Sequence, residues 1–233
     1  MLLTLPIREV LPATPRARIV RVDLGGEHFP YLPGQALLIG THGHEPRQPY
    51  SIAGAPEDAE HDRWLELLVR VSSEVSPGPH LTLEPGAIVD IEGPFGGFTF
   101  RPEPGDRRFV FIAGGTGIAP LRAMLRHALH GPHEQIGLFY SARTPGEFAY
   151  ERELQSLARE GRIELRQTVT RDVASDHWTG ARGRIGLDDL APLIHHPATM
   201  CFVCGPPALV EEMPRLLGEL GVARRRIRIE EWT

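Results

Sequence analysis

The passage that most constrains this chain runs from Phe109 to Pro132, FVFIAGGTGIAPLRAMLRHALHGP. FVFIAG (109–114) is a short, unbroken apolar run, the pattern of a strand covered on both faces of its sheet. From Ile118 to His130 the apolar residues Ile118, Leu121, Met124, Leu125, Ala128 and Leu129 follow helical spacing, and Gly131 and Pro132 supply a stop. Between strand and helix stand Gly114, Gly115, Thr116 and Gly117, with Pro120 in the first helical turn. Such a junction turns sharply and offers backbone N–H groups, backed by the helix dipole, to a pyrophosphate. A glycine-rich turn with no ligand is the plain alternative. The strand before it, the helix after it and Pro120 favour a dinucleotide.

The residues that follow continue the alternation. IGLFYSA (136–142), IELRQTVT (163–170) and TMCFVCG (199–205) read as strands, and ERELQSLARE, closed by Gly161, reads as a helix. PALVEEMPRLLGELG (207–221) has a helical pattern with Pro214 inside it, which predicts a kink or a restart because proline lacks the N–H. Ile227 and Ile229 in RRRIRIEEWT (224–233) predict a last sheet strand with a solvated basic lead-in. Alternating strands and helices predict an α/β Rossmann-like parallel sheet.

The first hundred residues differ. ARIVRVDL (17–24), QALLIGT (35–41), RWLELLVRVSS (63–73) and AIVDIEG (87–93) are β-branched or alternating runs. LPGQ, GAPEDAEHD, SPGPH and LEPG separate them with turn chemistry, and no helical period appears before Gly114. An antiparallel β-barrel or sandwich is expected there. RPEPGDRR (101–108) reads as the linker, giving domains at 1–102 and 107–233.

Bulk properties exclude several classes. A net charge of −5 argues against a nucleic-acid coat. No apolar stretch approaches the roughly 20 residues of a membrane span, and MLLTLPIREV lacks the basic start of a secretory leader. Two cysteines are too few for an iron–sulfur cluster or a disulfide framework, and a cytoplasmic setting is expected. Cys201 and Cys204 have a C-x-x-C spacing, yet they fall in a buried strand with no second pair, which argues against a redox or zinc motif. Among the 11 histidines, His42/His44, His195/His196 and the set His127, His130 and His133 invite a metal reading, but metal ligands should converge with carboxylate or cysteine support and the last set suits a helix C-terminus, so no metal is expected.

Four short motifs, in order, carry a resemblance: PYS (49–51), GPFG (93–96), GGTGIAP (114–120) and CGPP (204–207), with Trp232 after Glu230 near the end. In this order the chain resembles the ferredoxin–NADP reductase family, in which a FAD-binding β-barrel precedes an NAD(P)-binding α/β domain. The resemblance implies FAD as cofactor and NADPH or NADH as substrate. It implies that Tyr50 stacks on the flavin and Ser51 hydrogen-bonds near its N5, with Pro49, Ile52 and Val69 beside them. A cysteine at Cys204 would line the nicotinamide pocket, followed by Gly205, Pro206 and Pro207. Glu230 would assist proton traffic at the flavin, and Trp232 would stack on flavin or adenine, unless it only packs at a domain interface. Ser51, Cys204 and Glu230 are the implied transfer residues.

Two positions depart from the family pattern. Two residues before Tyr50 the family has arginine. Here that position is Gln48, and the arginine is Arg47. Either Arg47 reaches the FAD pyrophosphate or Gln48 makes a weaker neutral contact. Three residues before Leu81, where Ser or Thr is usual, stands Gly78 between Pro77 and Pro79, able to offer only its backbone N–H. Arg70, ending its strand, is a further phosphate candidate or simply a surface charge.

A 2′-phosphate requires cationic partners. Ser141 and Arg143 follow one strand of the nucleotide domain, Thr170 and Arg171 follow the next, and Arg184 stands in GARGRIG. These positions beyond strand ends favour NADPH over NADH. The acceptor has no readable motif: ferredoxin, flavodoxin, a Rieske protein and a haem protein stay open. So do a free-flavin reductase, a subunit of a larger electron-transfer complex, and a non-catalytic nucleotide-binding scaffold.

Overall fold

The computed structural model describes residues 1–71, 78, 80–171 and 178–231. They divide into two compact units, Met1–Phe100 with Arg122–His127, and Arg101–Leu121 with Ala128–Thr233.

The first unit is an antiparallel β structure of β1 (Leu2–Thr14), β2 (Ala17–Asp23), β3 (Ala36–Thr41), β4 (Gln48–Ser51), β5 (Trp64–Arg70) and β6 (Ile88–Phe95). The strand order is β4-β3-β6-β1-β2-β5. An antiparallel bridge from Ile52, just past β4, to Leu67 of β5 joins the two outer strands and closes the sheet into a barrel. Alternate residues point inward, so Val20 and Val22 of β2, Leu37 and Ile39 of β3, Leu65 and Leu67 of β5, and Val89 and Ile91 of β6 fill one core.

Two elements of this unit were not anticipated. β1 is its longest strand, although Pro6 and Pro12 interrupt its apolar pattern. Leu2–Pro6 pairs with β6 and Ile7–Thr14 with β2, with register shifts after Ile7 and after Pro12. A strand that changes partner at a bulge tolerates proline at the change. GAPEDAEHD, expected to be a turn, contains a short helix, α1 (Pro56–Asp62). Pro56 opens it, and Asp58 accepts the Ala55 N–H at 3.0 Å, a cap that holds seven residues too few for a visible period. Arg63 ends α1 at φ +64°, a conformation that favours glycine. Its guanidinium donates to the carbonyls of Gly25 and Glu27, which holds it there.

The core edge of the unit carries a buried ion pair. Arg122 Nη1 donates to the Ala53 carbonyl at 2.7 Å and to Glu66 at 2.8 Å, and Glu66 also accepts from Arg21 at 2.7 Å.

The second unit contains β7 (Arg108–Gly114), α2 (Ile118–His130), β8 (Gln135–Ala142), α3 (Glu151–Arg159), β9 (Glu164–Val169) and β10 (Ala181–Arg182). It continues through α4 (Leu187–Leu190), β11 (Met200–Gly205), α5 (Pro207–Glu219) and β12 (Ile227–Glu231). All six strands are parallel, in the order β10-β9-β8-β7-β11-β12. β7 and β11 are buried throughout or nearly so, as their continuous apolar runs require. The expected restart at Pro214 does not occur: α5 runs through it, held to the sheet by buried Val210, Met213, Leu216 and Leu217. Packing of that face outweighs one missing backbone donor.

No helix among the described residues is long and apolar enough to cross a membrane. Among them no three His, Cys, Asp or Glu side chains converge as metal ligands. Several histidines are instead paired with carboxylates, His42 with Asp90, His127 with Glu57 and His195 with Glu164.

Candidate functional site

The first chain segment of the second unit, β7, lies between β8 and β11, so the strand order reverses beside it. Ligands of open α/β sheets bind beyond the carboxyl ends of the strands at such a reversal. The loop that leaves β7 there is Gly114-Gly115-Thr116-Gly117, and the loop that leaves β11 is Gly205-Pro206-Pro207.

Three of the glycines are required by contact between these loops. A Cβ on Gly117 would lie 2.6 Å from the Cys204 carbonyl carbon and 2.9 Å from the Gly205 nitrogen. One on Gly205 would lie 3.1 Å from the Gly114 backbone, and one on Gly114 would lie 2.7 Å from Pro206 Cδ. Gly115 differs: it is exposed, sits at φ +55° and has open space around it. Its carbonyl accepts from the Tyr140 hydroxyl at 3.0 Å and from the Ile118 N–H. The Tyr140 oxygen in turn accepts the Ala149 N–H at 3.2 Å, and full burial raises the phenol far above its ordinary range. The Gly115 carbonyl is thereby engaged within the protein, and the first N–H groups of a helix are those left without intrahelical partners. Ile118 and Pro120 are buried beneath it. Tyr140 was not anticipated as a site residue, because an aromatic in a buried strand reads as core.

The basic candidates gather at the ends of β8 and β9. Ser141 pairs with Thr168 and Ala142 with Val169 in register. Beyond them the Thr170 N–H donates to the Ala142 carbonyl and the Arg171 N–H to the Arg143 carbonyl, both at 2.9 Å. Gly183, next to Arg184, accepts the Thr168 hydroxyl at 2.9 Å. Arg143, Arg171 and Arg184 are all exposed, and no salt bridge to them occurs among the described residues. The backbone thus brings Ser141, Arg143, Thr170, Arg171 and Arg184 to one edge of the sheet.

Cys204 and Glu230 are register partners on adjacent parallel strands. Burial raises the Glu230 carboxyl to about 7, so it keeps a proton close to neutrality. Burial pushes the Cys201 thiol up to about 12, and burial plus the neighbouring Glu230 pushes Cys204 higher still. Neither is a thiolate. Three residues apart in one strand, the two cysteines stand about 10 Å apart, beyond disulfide reach.

In the first unit, Tyr50 and Ser51 end β4. Ser51 is 3% exposed, and its hydroxyl has no hydrogen-bond partner among the described residues. A buried hydroxyl without a partner is costly unless a ligand completes it. Tyr50 is half-buried, and its hydroxyl lies 3.0 Å from His80 Nε2 with the rings stacked at 6.0 Å. Burial pushes the phenol up to about 12. Gln48 and Pro49 pair with β3, Ile52 and Val69 are buried in the barrel core, and Arg70 is exposed at the end of β5. Arg47 is paired with Glu45 at 3.3 Å and Glu92 at 3.2 Å. Gly78 is half-buried at φ +124°. Pro77, Pro79 and Trp232 lie outside the described residues. His80 is the residue here that sequence motifs did not reveal. The Ser51 hydroxyl, buried and without a partner among the described residues, fits a flavin, and the glycine loop at the sheet reversal fits a dinucleotide.

Comparison with known proteins bears on both halves. Residues 111–214 match the model of the oxidoreductase NAD-binding domain. Ferredoxin–NADP reductase B of Sorangium cellulosum is 33% identical over 238 residues, covering 97% of this chain and 94% of that protein. A ferredoxin reductase in carbazole 1,9a-dioxygenase superposes with a TM-score of 0.83 at 25% identity, covering 100% of this chain and 70% of the other. A ferredoxin–NADP+ reductase from Neisseria gonorrhoeae, solved with bound FAD and NADP, shares the fold with a TM-score of 0.80 at 20% identity, covering 99% and 98% of the two chains.

Proposed function

The chain belongs to the ferredoxin–NADP reductase family of NAD(P)H-dependent flavin oxidoreductases, which use FAD, and from that premise we propose that it draws on NADPH and serves a separate one-electron acceptor. FAD, when bound, supplies the chemistry: it takes a hydride from the nicotinamide and releases electrons singly. The observation that carries the reading is the buried Ser51 hydroxyl following Tyr50 in the barrel, which has no partner among the described residues.

The protein's own contribution is binding, orientation and proton control. Tyr50 would pack against the flavin ring, and the Ser51 hydroxyl would hydrogen-bond at N5, satisfying an oxygen that has no partner among the described residues. Pro49, Ile52 and Val69 would support that position. The Gly115–Thr116–Gly117 turn would hold the pyrophosphate of the nicotinamide dinucleotide through backbone N–H groups, with Tyr140 keeping the Gly115 carbonyl turned away. Arg143, Arg171 and Arg184 would face the 2′-phosphate, whose dianion suits exposed guanidinium groups. Cys204 would lie against the nicotinamide end of this unit's site as a small uncharged wall. Glu230, which keeps its proton to about pH 7, would hold a proton ready for transfer.

The acceptor class follows from the relatives only as a proposal: ferredoxin first, with flavodoxin, Rieske and haem proteins as alternatives. One observation favours a second reading, in which free flavin is itself a substrate. Arg47 is engaged by Glu45 and Glu92 and Gln48 carries no charge, which leaves Arg70, exposed at the end of β5, as the remaining named candidate in the barrel for a flavin phosphate. Steady-state NADPH oxidation with a one-electron acceptor, measured against added FAD, separates the two. Activity that saturates at one FAD per chain supports the bound cofactor. A rate that keeps rising with flavin far above the protein concentration overturns it in favour of the free-flavin reductase.

A further inference from the structure

One buried hydroxyl ties the turn that leaves β7 to the rest of the parallel unit. Tyr140 lies on β8 and is fully buried, and its O–H donates to the Gly115 carbonyl at 3.0 Å. The same oxygen accepts the Ala149 N–H at 3.2 Å, so the phenol stands between two segments that are distant in sequence. The Phe148 ring packs edge-on against the Tyr140 ring, with centroids 5.0 Å apart, which holds the hydroxyl in place. Burial raises the phenol far above its ordinary range, so the proton it donates is kept throughout the neutral range.

This bond bears on the direction of one peptide plane. Gly115 has φ +55° and is exposed, and a Cβ built on it would meet nothing within 4 Å, so no side chain or close packing restrains the peptide that follows it. Within the turn its carbonyl also receives the Ile118 N–H, but that donor is divided between the Gly115 and Thr116 carbonyls. The Tyr140 proton is the donor that Gly115 does not share. The Gly115–Thr116 peptide is trans, so its C=O and its N–H point in opposite directions. With the carbonyl drawn to Tyr140, the Thr116 N–H is directed away from the phenol, at the start of α2 where N–H groups lack intrahelical partners. Turned over, the same peptide would present a carbonyl oxygen in its place.

We propose that Tyr140 is a positioning residue for the nicotinamide dinucleotide: its hydroxyl holds the Gly115–Thr116 peptide in the orientation that offers the Thr116 N–H, and not a carbonyl oxygen, to the pyrophosphate. The proposal rests on the reading that this turn, beyond the carboxyl end of β7 where the strand order reverses, holds the dinucleotide, and it deepens that reading by naming the donor and what aims it. Tyr140 is buried and acts through Gly115, so loss of its hydroxyl raises the coenzyme concentration required without slowing the step that follows binding. A phenol that only braced the parallel unit would weaken every ligand of that unit alike, whether or not the ligand carries a pyrophosphate.

The test is Tyr140→Phe in the FAD-loaded full chain, which keeps the ring against Phe148 and removes only the oxygen. Binding of NADP+, NAD+ and 2′-AMP is measured by calorimetry, and KM and kcat are measured for NADPH oxidation with ferricyanide as acceptor. The expected result is that each dinucleotide bound by the wild type weakens by roughly tenfold and by the same factor, the range of a lost hydrogen bond to a charged group. 2′-AMP, which has no pyrophosphate, should stay within about twofold, a shift below the reach of such a contact. KM for NADPH should rise roughly tenfold while kcat stays within about twofold, the signature of lost binding rather than lost chemistry. Unchanged dinucleotide affinity, equal weakening of 2′-AMP, or a fall in kcat with KM unchanged overturns the proposal. A wild type that binds neither dinucleotide overturns the reading of the turn itself, and with it this one, so the two failures are told apart. Melting curves check folding; should Tyr140→Phe not fold, the amide spectrum of the nitrogen-15-labelled wild type decides the question. There the Thr116 N–H signal should move downfield on addition of NADP+, and a signal that stays in place overturns the proposal.

Discussion

The two units offer candidate sites of opposite kinds. That of the parallel unit is made of backbone: Gly114, Gly117 and Gly205 let two loops touch at the start of α2, where a helix leaves N–H groups without intrahelical partners. The candidate in the barrel is made of side chains, the Tyr50 ring and the Ser51 hydroxyl. A backbone site is damaged by adding an atom, and a side-chain site by removing one. That contrast makes each half separately breakable.

The largest effect is expected from Gly117→Ala. Its new methyl group meets the Cys204 carbonyl and the Gly205 nitrogen, and neither is the end of a flexible chain. Overpacking of this kind costs about 1–3 kcal/mol, and it also moves the turn that would hold the pyrophosphate. NAD(P)H binding, measured calorimetrically, should be lost while flavin binding by the barrel survives. Loss of both together would break the contrast. Ser51→Ala comes next. It removes a hydroxyl that has no partner among the described residues, so stability should hold within about 0.5 kcal/mol, while flavin reduction slows by roughly 100-fold as a positioned donor is lost. A large fall in melting temperature would show that the hydroxyl serves the fold instead.

Arg171→Ala should weaken NADPH about tenfold, the size of one charge-assisted contact, and leave NADH unchanged. Equal losses for the two coenzymes would remove Arg171 from the 2′-phosphate site. The smallest change expected is in a pH profile. Glu230 has a folded-state pKa raised to about 7, so its proton is present below that pH and lost as pH rises through it. A rate that depends on this proton declines above pH 7 in the wild type, and Glu230→Gln flattens the profile; an unchanged profile assigns the decline to another group.

The same contrast explains what could be read from the chain and what could not. The parallel unit is written in local, continuous runs: FVFIAG foretold β7 to within one residue, and the spacing from Ile118 to His130 is α2 itself. The barrel is written in pairings between distant residues. β1 is a strand because Leu3 meets Ile91 and Val10 meets Val20, and no window around Pro6 contains that information. α1 is held by one cap rather than by a period. Within the sites, motifs supplied the residue types but not their reasons. The glycines of GGTGIAP were expected to serve a ligand, yet Gly114 and Gly117 of the motif serve the contact with Cys204 to Pro206, and Gly205 serves it from the other side, across a sequence gap that no local pattern spans. Tyr140 meets the Gly115 carbonyl and His80 the Tyr50 hydroxyl, each through a single hydrogen bond, which side-chain identity alone does not announce.

The decisive experiment is anaerobic mixing of the purified, FAD-loaded protein with NADPH, and separately with NADH, while following the visible absorbance of the flavin. Rapid bleaching by NADPH, slower bleaching by NADH, and return of the absorbance on adding a one-electron acceptor are expected. A flavin that neither nucleotide bleaches would contradict the proposed function.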